Sequence, residues 1–244
     1  MISFSGRGLL LDIEGTTASV SFVYDVMFPF VRRELNDYLR SQWNSPALAP
    51  ALRQIAQDAG AESFELWTQD ASDDQARQDQ VCAEVTRLMD DDVKATGLKQ
   101  LQGLIWKSGF DSGELVAAVF DDVPPALARW NAADRDVRIY SSGSVAAQKM
   151  FFGHTNHGDL LASFRGHYDT TTGPKKTSDS YRIIAGDFGL APQEILFLSD
   201  VVAELDAARE AGMRTGLCYR PGNAPVTDPN GHDEIESFDQ ISIG

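Results

Sequence analysis

The sequence predicts an α/β fold, in which a Rossmann-like core with a parallel sheet is interrupted by an inserted helical cap. The apolar run Leu9–Leu11 reads as a buried strand, and the acidic turn DIEGTT (residues 12–17) follows it directly. Residues 20–115 then have a helical, polar and acidic pattern, whereas strand and helix patterns alternate over residues 116–220. We therefore expect a core of residues 1–17 and 116–244 and a helical cap of residues 18–115.

Composition limits the classes of function. The chain has 244 residues, of which 43% are hydrophobic and 23% charged, as is ordinary for a globular protein. Its formal net charge of -15 argues against a nucleic-acid partner and against an anionic membrane surface. An anionic ligand would need a cation or a metal at its site to reverse the local field. No apolar run approaches the length that spans a membrane.

Cysteine usage and the first residues suggest a location. Cys82 and Cys218 are far apart and lack metal-ligand spacing, which favours free thiols in a reducing compartment. The first eight residues lack the long apolar core of a signal peptide. We expect a cytoplasmic protein.

Polar side chains follow three predicted strands. The strand of residues 137–140 ends at SSGS (residues 141–144), and the buried strand of residues 194–198 ends at Ser199-Asp200. Lys175 lies in a loop between these two segments. Because parallel strands place their carboxyl ends along one edge of a sheet, these groups and the acidic turn can converge there.

The converging groups suit phosphoryl transfer onto an aspartate. Asp12 would be the nucleophile, and Asp12 and Asp200 supply the hard oxygen ligands that Mg²⁺ prefers. Ser141 and the backbone amides that follow it can bind phosphate oxygens, and Lys175 adds a positive charge. Glu14 could protonate the leaving oxygen and later deprotonate a water molecule.

Each residue also has a plainer interpretation. An aspartate at a strand end is often a helix cap, and charge alone does not choose between Lys175 and Lys176. Glu204 could be a helix-surface acid or a partner of the metal site. We expect the residues after Pro221 to form a loop. Four histidines lack zinc-ligand spacing and are expected in loops or at the surface: His154, His157, His167 and His232.

The ordered motifs resemble those of the haloacid dehalogenase superfamily. Asp12, Ser141, Lys175 and Asp200 match its four motifs in turn, and the helical stretch is similar to its cap. The resemblance implies that the α/β core is of the haloacid dehalogenase type. One position departs from the general pattern, since Glu14 stands where the first motif has its second aspartate.

Within that superfamily the chain is similar to the enolase-phosphatases of methionine salvage. The similarity is carried by the acidic turn with Phe28-Pro29 and by three further segments, Tyr140–Ser144, Ser178–Tyr181 and Phe197–Asp200. It implies a Mg²⁺-dependent, bifunctional and monomeric enzyme. The substrate would be 2,3-diketo-5-methylthiopentyl-1-phosphate, which is enolised and then dephosphorylated to 1,2-dihydroxy-3-keto-5-methylthiopentene.

The resemblance also implies roles for particular residues. The family's metal-site positions correspond to Asp12, Glu14 and Asp200. Its substrate-binding positions correspond to Ser141, Ser142 and Lys175. The segment Ser178–Tyr181 fixes the register that selects Lys175, and the catalytic groups would be Asp12, Glu14 and Lys175. Whether Glu14 would bind the metal through its side chain or its carbonyl is left open.

Other functions fit parts of this pattern. One is a Mg²⁺-dependent phosphatase of the same superfamily that acts on another small molecule. A dehalogenase of the superfamily would not need Mg²⁺. A catalytically silent binding protein could share the fold, but Asp12, Asp200 and Lys175 argue against it.

Overall fold

A computed structural model describes residues 1–244. The chain forms two compact units, the first made of residues 1–23 and 116–244 and the second of residues 24–115. The predicted boundary after residue 17 therefore lies inside the first unit, because the turn and the residues up to 23 stay with the strand that they follow.

The first unit is an α/β domain. Its strands are β1 (Ile2–Phe4), β2 (Gly8–Leu11), β3 (Asp136–Tyr140), β4 (Gly166–Tyr168), β5 (Ile195–Ser199), β6 (Arg214–Cys218), β7 (Asp233–Ile235) and β8 (Ile241–Ile243). Its helices are α6 (Val123–Ala132), α7 (Val145–Gly153), α8 (Ser178–Phe188) and α9 (Val202–Glu210), numbered after five helices of the second unit.

Six of these strands form one parallel sheet in the order β4-β3-β2-β5-β6-β7. Strand β2 is central, since Leu11 pairs with Ile139 on one side and with Leu198 on the other. Leu9, Leu10 and Leu11 are fully buried, as expected for a strand that is covered on both faces of its sheet. The predicted parallel-sheet α/β core is confirmed.

The second unit is helical. It contains α1 (Phe28–Gln42), α2 (Ala49–Asp58), α3 (Phe64–Trp67), α4 (Asp74–Asp90) and α5 (Thr96–Asp111), and a π-helix (Phe22–Met27) precedes α1. Helices α2 and α5 approach closely at Gly97, where an added Cβ would lie 2.5 Å from the backbone nitrogen of Ile55. Pro29 stands in the first turn of α1, where a missing N–H costs no helical hydrogen bond.

The structure corrects two expectations. The residues after Pro221 are not only loop, because β7 extends the large sheet and β8 pairs with β1 in a second, two-stranded sheet. His167 lies on β4, and His232 is in a loop but buried, with Nδ1 2.7 Å from the Thr215 hydroxyl. Strands β7 and β8 were not expected because each has three residues, which is too few for a pattern of apolar residues to be visible in the sequence.

Both cysteines are free thiols, and the cytoplasmic location remains a prediction. None of the helices combines the length and the apolar character needed to cross a lipid bilayer.

Candidate active site

The strand order brings the predicted polar groups to one edge of the sheet. Asp12 follows the central strand β2, and its backbone N–H donates to the carbonyl of Leu198 on β5 over 3.0 Å. Ser141 follows β3 on one side of Asp12, and Ser199 ends β5 on the other. Sequence positions that are far apart therefore become neighbours at the carboxyl end of the sheet, where α/β folds bind ligands.

Lys175 lies between two carboxylates. Its ammonium donates to Oδ2 of Asp12 over 2.6 Å and is 2.7 Å from Oε2 of Glu204. The Ser199 hydroxyl lies 3.1 Å from the same Asp12 oxygen and 3.2 Å from the same Glu204 oxygen. The other Asp12 oxygen accepts the backbone N–H of Ile13 over 2.8 Å, so the orientation of the Asp12 carboxylate is fixed from several directions.

The pKa values at this site are shifted because two buried carboxylates share one buried ammonium. Burial disfavours the Lys175 ammonium, but the carboxylates of Asp12 and Glu204 outweigh it and raise the pKa of Lys175 above its ordinary value. A single ammonium cannot neutralise two carboxylates. Burial, and then the charge of Asp12, accordingly raise the pKa of Glu204 to about 7. Above that pKa the two carboxylates outnumber the one ammonium, and the excess negative charge favours a further cation.

Asp200 lies against the acidic turn at Gly15. A Cβ on Gly15 would be 2.2 Å from Oδ2 of Asp200, and the φ angle of 65° at Gly15 also favours glycine. Burial, and then the charge of Asp12, raise the pKa of Asp200 to about 6. The glycine of the turn therefore makes room for the Asp200 carboxylate.

The turn itself is held by side chains from the loop after β6. Asn223 Nδ2 donates to the Gly15 carbonyl over 2.9 Å, and Arg220 Nε donates to the Thr16 carbonyl over 3.0 Å. Within the turn, the Thr17 hydroxyl donates to the Asp12 carbonyl over 3.2 Å. Asn223 and Arg220 were not predicted from the sequence, because the loop carries no pattern that relates it to residues some 200 positions earlier.

The segment after β3 forms a compact turn at the start of α7. Ser141 is buried and its hydroxyl accepts the N–H of Gly143 over 3.3 Å, whereas Ser142 is exposed. The Ser144 hydroxyl caps α7 by accepting the N–H of Ala147 over 3.2 Å. Gln148, which is buried, donates to the carbonyl of Gly143 over 2.8 Å and so fixes the turn.

The other candidate residues of the sequence differ in how far they are buried. Glu14 is half-buried, and its backbone forms an isolated parallel bridge with Ala18. Lys176, the alternative to Lys175, is exposed. Glu204, for which the sequence left two roles open, is buried at the site.

The donor set suits a hard divalent cation. Asp12 and Asp200 contribute carboxylate oxygens, and Asn223 has a buried Oδ1 without a hydrogen-bond partner that also lies close to Gly15. No three or more His, Cys, Asp or Glu side chains are arranged together as metal ligands. The fit thus rests on two carboxylates supplemented by other oxygens, which is the ligand chemistry of Mg²⁺ rather than of zinc.

Comparisons with known proteins show the family to which the chain belongs. Residues 7–212 match the family model of the haloacid dehalogenase-like hydrolases. The chain is 44% identical over 239 residues to the enolase-phosphatase E1 of Synechococcus elongatus, covering 96% of each protein. It is 42% identical over 242 residues to that of Sorangium cellulosum, covering 99% of this chain and 100% of the relative.

A solved structure extends the similarity to three dimensions. The UTR4 protein of Saccharomyces cerevisiae superposes with a TM-score of 0.80 at 33% identity, covering 97% of this chain and 100% of the yeast protein. The match spans both units, and the sequence relatives are matched over nearly their full length. The chain is a hydrolase that belongs to the haloacid dehalogenase-like family and, within it, to the enolase-phosphatase E1 proteins.

Proposed function

We propose that this protein is the bifunctional enolase-phosphatase of methionine salvage. It would convert 2,3-diketo-5-methylthiopentyl-1-phosphate to 1,2-dihydroxy-3-keto-5-methylthiopentene and phosphate. The observation that carries the proposal is the contact of the Lys175 ammonium with Asp12 over 2.6 Å at the carboxyl end of the sheet. The named relatives supply the substrate class.

In the phosphatase step Asp12 acts as the nucleophile. An oxygen of its carboxylate forms a bond to phosphorus while the bond from phosphorus to the substrate oxygen breaks. Glu14 gives its proton to the departing oxygen and then removes a proton from a water molecule. That water attacks phosphorus, the bond to Asp12 breaks, and inorganic phosphate leaves. Ser141, Ser142 and Lys175 bind the phosphate oxygens.

Mg²⁺ is the proposed cofactor. Asp12 and Asp200 would hold it through their carboxylates, and Glu14 through its backbone carbonyl or its side chain. When bound, it neutralises phosphate charge, so that a carboxylate can approach an anionic phosphorus. Glu204 contacts Lys175 and Ser199 and is not proposed as a ligand.

The enolase step requires removal of a carbon-bound proton next to a carbonyl. We propose that Glu14 accepts this proton and that its extra methylene, compared with aspartate, provides the reach. The carbonyl oxygen takes a proton from the solvent as the carbon–carbon double bond forms, so the step needs no oxidant or reductant. Residues 24–115, the helical unit, are proposed as the cap domain that the family uses to exclude water.

The test follows enol absorbance and free phosphate together, with the purified protein, Mg²⁺ and the diketo phosphate. An enol signal that precedes phosphate release, with both signals abolished by a chelator, supports the bifunctional enzyme. Phosphate release without a preceding enol would contradict the enolase half and leave a Mg²⁺-dependent phosphatase for another small molecule. Asp12→Asn that leaves turnover unchanged would contradict the aspartyl-phosphate mechanism.

A further inference from the structure

The main chain that carries Lys175 is anchored by a row of hydroxyl groups. Three consecutive carbonyls, those of Gly173, Pro174 and Lys175, each accept a hydrogen bond from a different side chain. The donors are the hydroxyls of Tyr140 to Gly173 over 2.8 Å, Ser180 to Pro174 over 2.8 Å and Tyr181 to Lys175 over 2.6 Å. We call these three hydroxyls the hydroxyl row.

The hydroxyl row is part of the rigid core. Tyr140 and Tyr181 are fully buried, and their rings meet edge to face with centroids 5.5 Å apart. Ser180 is 2% exposed and stands next to Tyr181 in the first turns of α8. The loop is therefore fastened to a strand end and to a helix that are themselves fixed by packing.

The backbone of the loop approaches the row too closely for a side chain. A Cβ on Gly173 would lie 2.3 Å from the Ser180 hydroxyl oxygen. Glycine at this position lets the main chain lie directly against the donors. The close approach and the short hydrogen bonds together define the path of the chain into Lys175.

Filling the core would not by itself require these hydroxyls. Phenylalanine would fill nearly the same volume as Tyr140 and Tyr181, and the core nearby already contains Phe197 against Tyr181 at 5.1 Å. What the hydroxyls add is a donor for the carbonyls of Gly173, Pro174 and Lys175. The Pro174 carbonyl also accepts the backbone N–H of Thr177 over 3.1 Å. With these carbonyls fixed, the backbone of Lys175 is held in one position. From that position the ammonium reaches Asp12 and Glu204.

We propose that Tyr140, Ser180 and Tyr181 are positioning residues that hold the Lys175 ammonium between the two carboxylates by anchoring its main chain. The effect on turnover rests on the proposed phosphatase function, whereas the effect on Lys175 itself does not. The three hydroxyls bond to carbonyls and not to the Lys175 ammonium. The Tyr140 ring lies 5.8 Å from that ammonium, and phenylalanine would keep the ring in place. Tyr181 has the strongest effect of the three, because its acceptor is the carbonyl of Lys175.

The test compares Tyr181→Phe and Tyr140→Phe with Tyr168→Phe. Tyr168 belongs to the same core cluster and also donates its hydroxyl, over 2.6 Å, but to Asp187 and not to the loop. The readout is the rate at which Lys175 is acylated by an amine-reactive ester, followed by peptide mass spectrometry. The exposed Lys176 serves as the internal reference in every sample.

We expect Lys175 to be acylated about tenfold faster relative to Lys176 in Tyr181→Phe, and less so in Tyr140→Phe, since a loop that has lost a carbonyl donor opens more often and exposes an amine that is buried in the wild type. Tyr168→Phe should match the wild type. In phosphate release, Tyr181→Phe should lower kcat about tenfold and change KM less than about twofold, because a small misplacement weakens the transition state most.

Two outcomes would overturn the proposal. One is an unchanged acylation ratio in Tyr181→Phe, and the other is an equal increase in Tyr168→Phe, which would indicate general loosening of the core. If Tyr181→Phe does not fold by circular dichroism, Tyr140→Phe and Ser180→Ala decide the question by the same ratio. Because labelling needs no turnover, a failure of the proposed function leaves this test intact.

Discussion

Lys175 donates a hydrogen bond to Oδ2 of Asp12 over 2.6 Å, although 163 positions separate the two residues in the sequence. Both side chains are largely buried, and Glu204 holds the same ammonium from its other side over 2.7 Å. The lysine thus serves both as the counter-charge of the candidate nucleophile and as the centre of a buried three-residue charge cluster.

Removing the Lys175 charge should impair both catalysis and stability. In Lys175→Met, we expect phosphate release to fall at least about 100-fold, because a positioned charge that faces the phosphate is lost. The free energy of unfolding should fall by about 3 kcal/mol, since two buried carboxylates lose their partner. Phosphate assays and urea unfolding measure the two effects. Lys176→Met, in the same loop but exposed, should alter neither, and equal effects of the two variants would contradict the assignment.

A methyl group at Gly15 should displace Asp200. In Gly15→Ala the new Cβ would lie 2.2 Å from Oδ2 of Asp200, so we expect the rate of phosphate release to fall about 100-fold. The matched control is Gly189→Ala, which has the same φ of 65° but nothing within 4 Å of the new Cβ. Both variants should lose about 1 kcal/mol of stability from the left-handed backbone, and only Gly15→Ala should lose activity. If Gly189→Ala lost a comparable amount of activity, backbone strain and not the displacement of Asp200 would account for the loss in Gly15→Ala.

The stability of the metal-free protein should depend on pH through Glu204. Burial, and then Asp12, raise the pKa of Glu204 from 4.5 to about 7, so between these values the folded protein holds a proton that the unfolded chain has lost. Stability from this group is therefore present at low pH and falls as pH rises from about 5 to 7, by on the order of 1 kcal/mol per pH unit at most. Thermal unfolding in chelator at several pH values should show a smaller decline for Glu204→Gln than for the wild type. Parallel curves would show that Glu204 titrates with an ordinary pKa.

Shortening Glu14 should separate the two half-reactions. In Glu14→Asp the carboxylate loses about one bond length of reach, and catalytic geometry is sensitive to about 1 Å. We expect enolisation to fall about tenfold more than phosphate release. Stopped-flow enol absorbance beside a phosphate assay measures both steps on the same substrate. Equal losses in the two steps would contradict the proposal that the longer side chain of Glu14 serves enolisation.

The central strands β2 and β5 could be predicted because each is an uninterrupted apolar run that ends in a polar turn. Helix α8 spans Ser178–Phe188, and Gly189 ends it in a left-handed conformation, as glycine commonly does after a helix. Strands β7 and β8 were missed because three-residue strands form through pairing with neighbours and not through a local pattern. The role of Glu204 was left open because a single acidic residue in a helix does not show which face of that helix is buried.

The sequence alone determined the α/β class, the order of Asp12, Ser141, Lys175 and Asp200 along the chain, and the strand ends on which three of them lie. These features are local, because hydrophobic periodicity and turn chemistry act over a few residues. Only the tertiary structure decided that Glu204 shares Lys175 with Asp12, that Asn223 and Arg220 hold the acidic turn, and that three hydroxyls anchor the lysine loop. Those contacts depend on strand register and on which side chains the folded core brings within hydrogen-bond distance, and no short stretch of sequence encodes either.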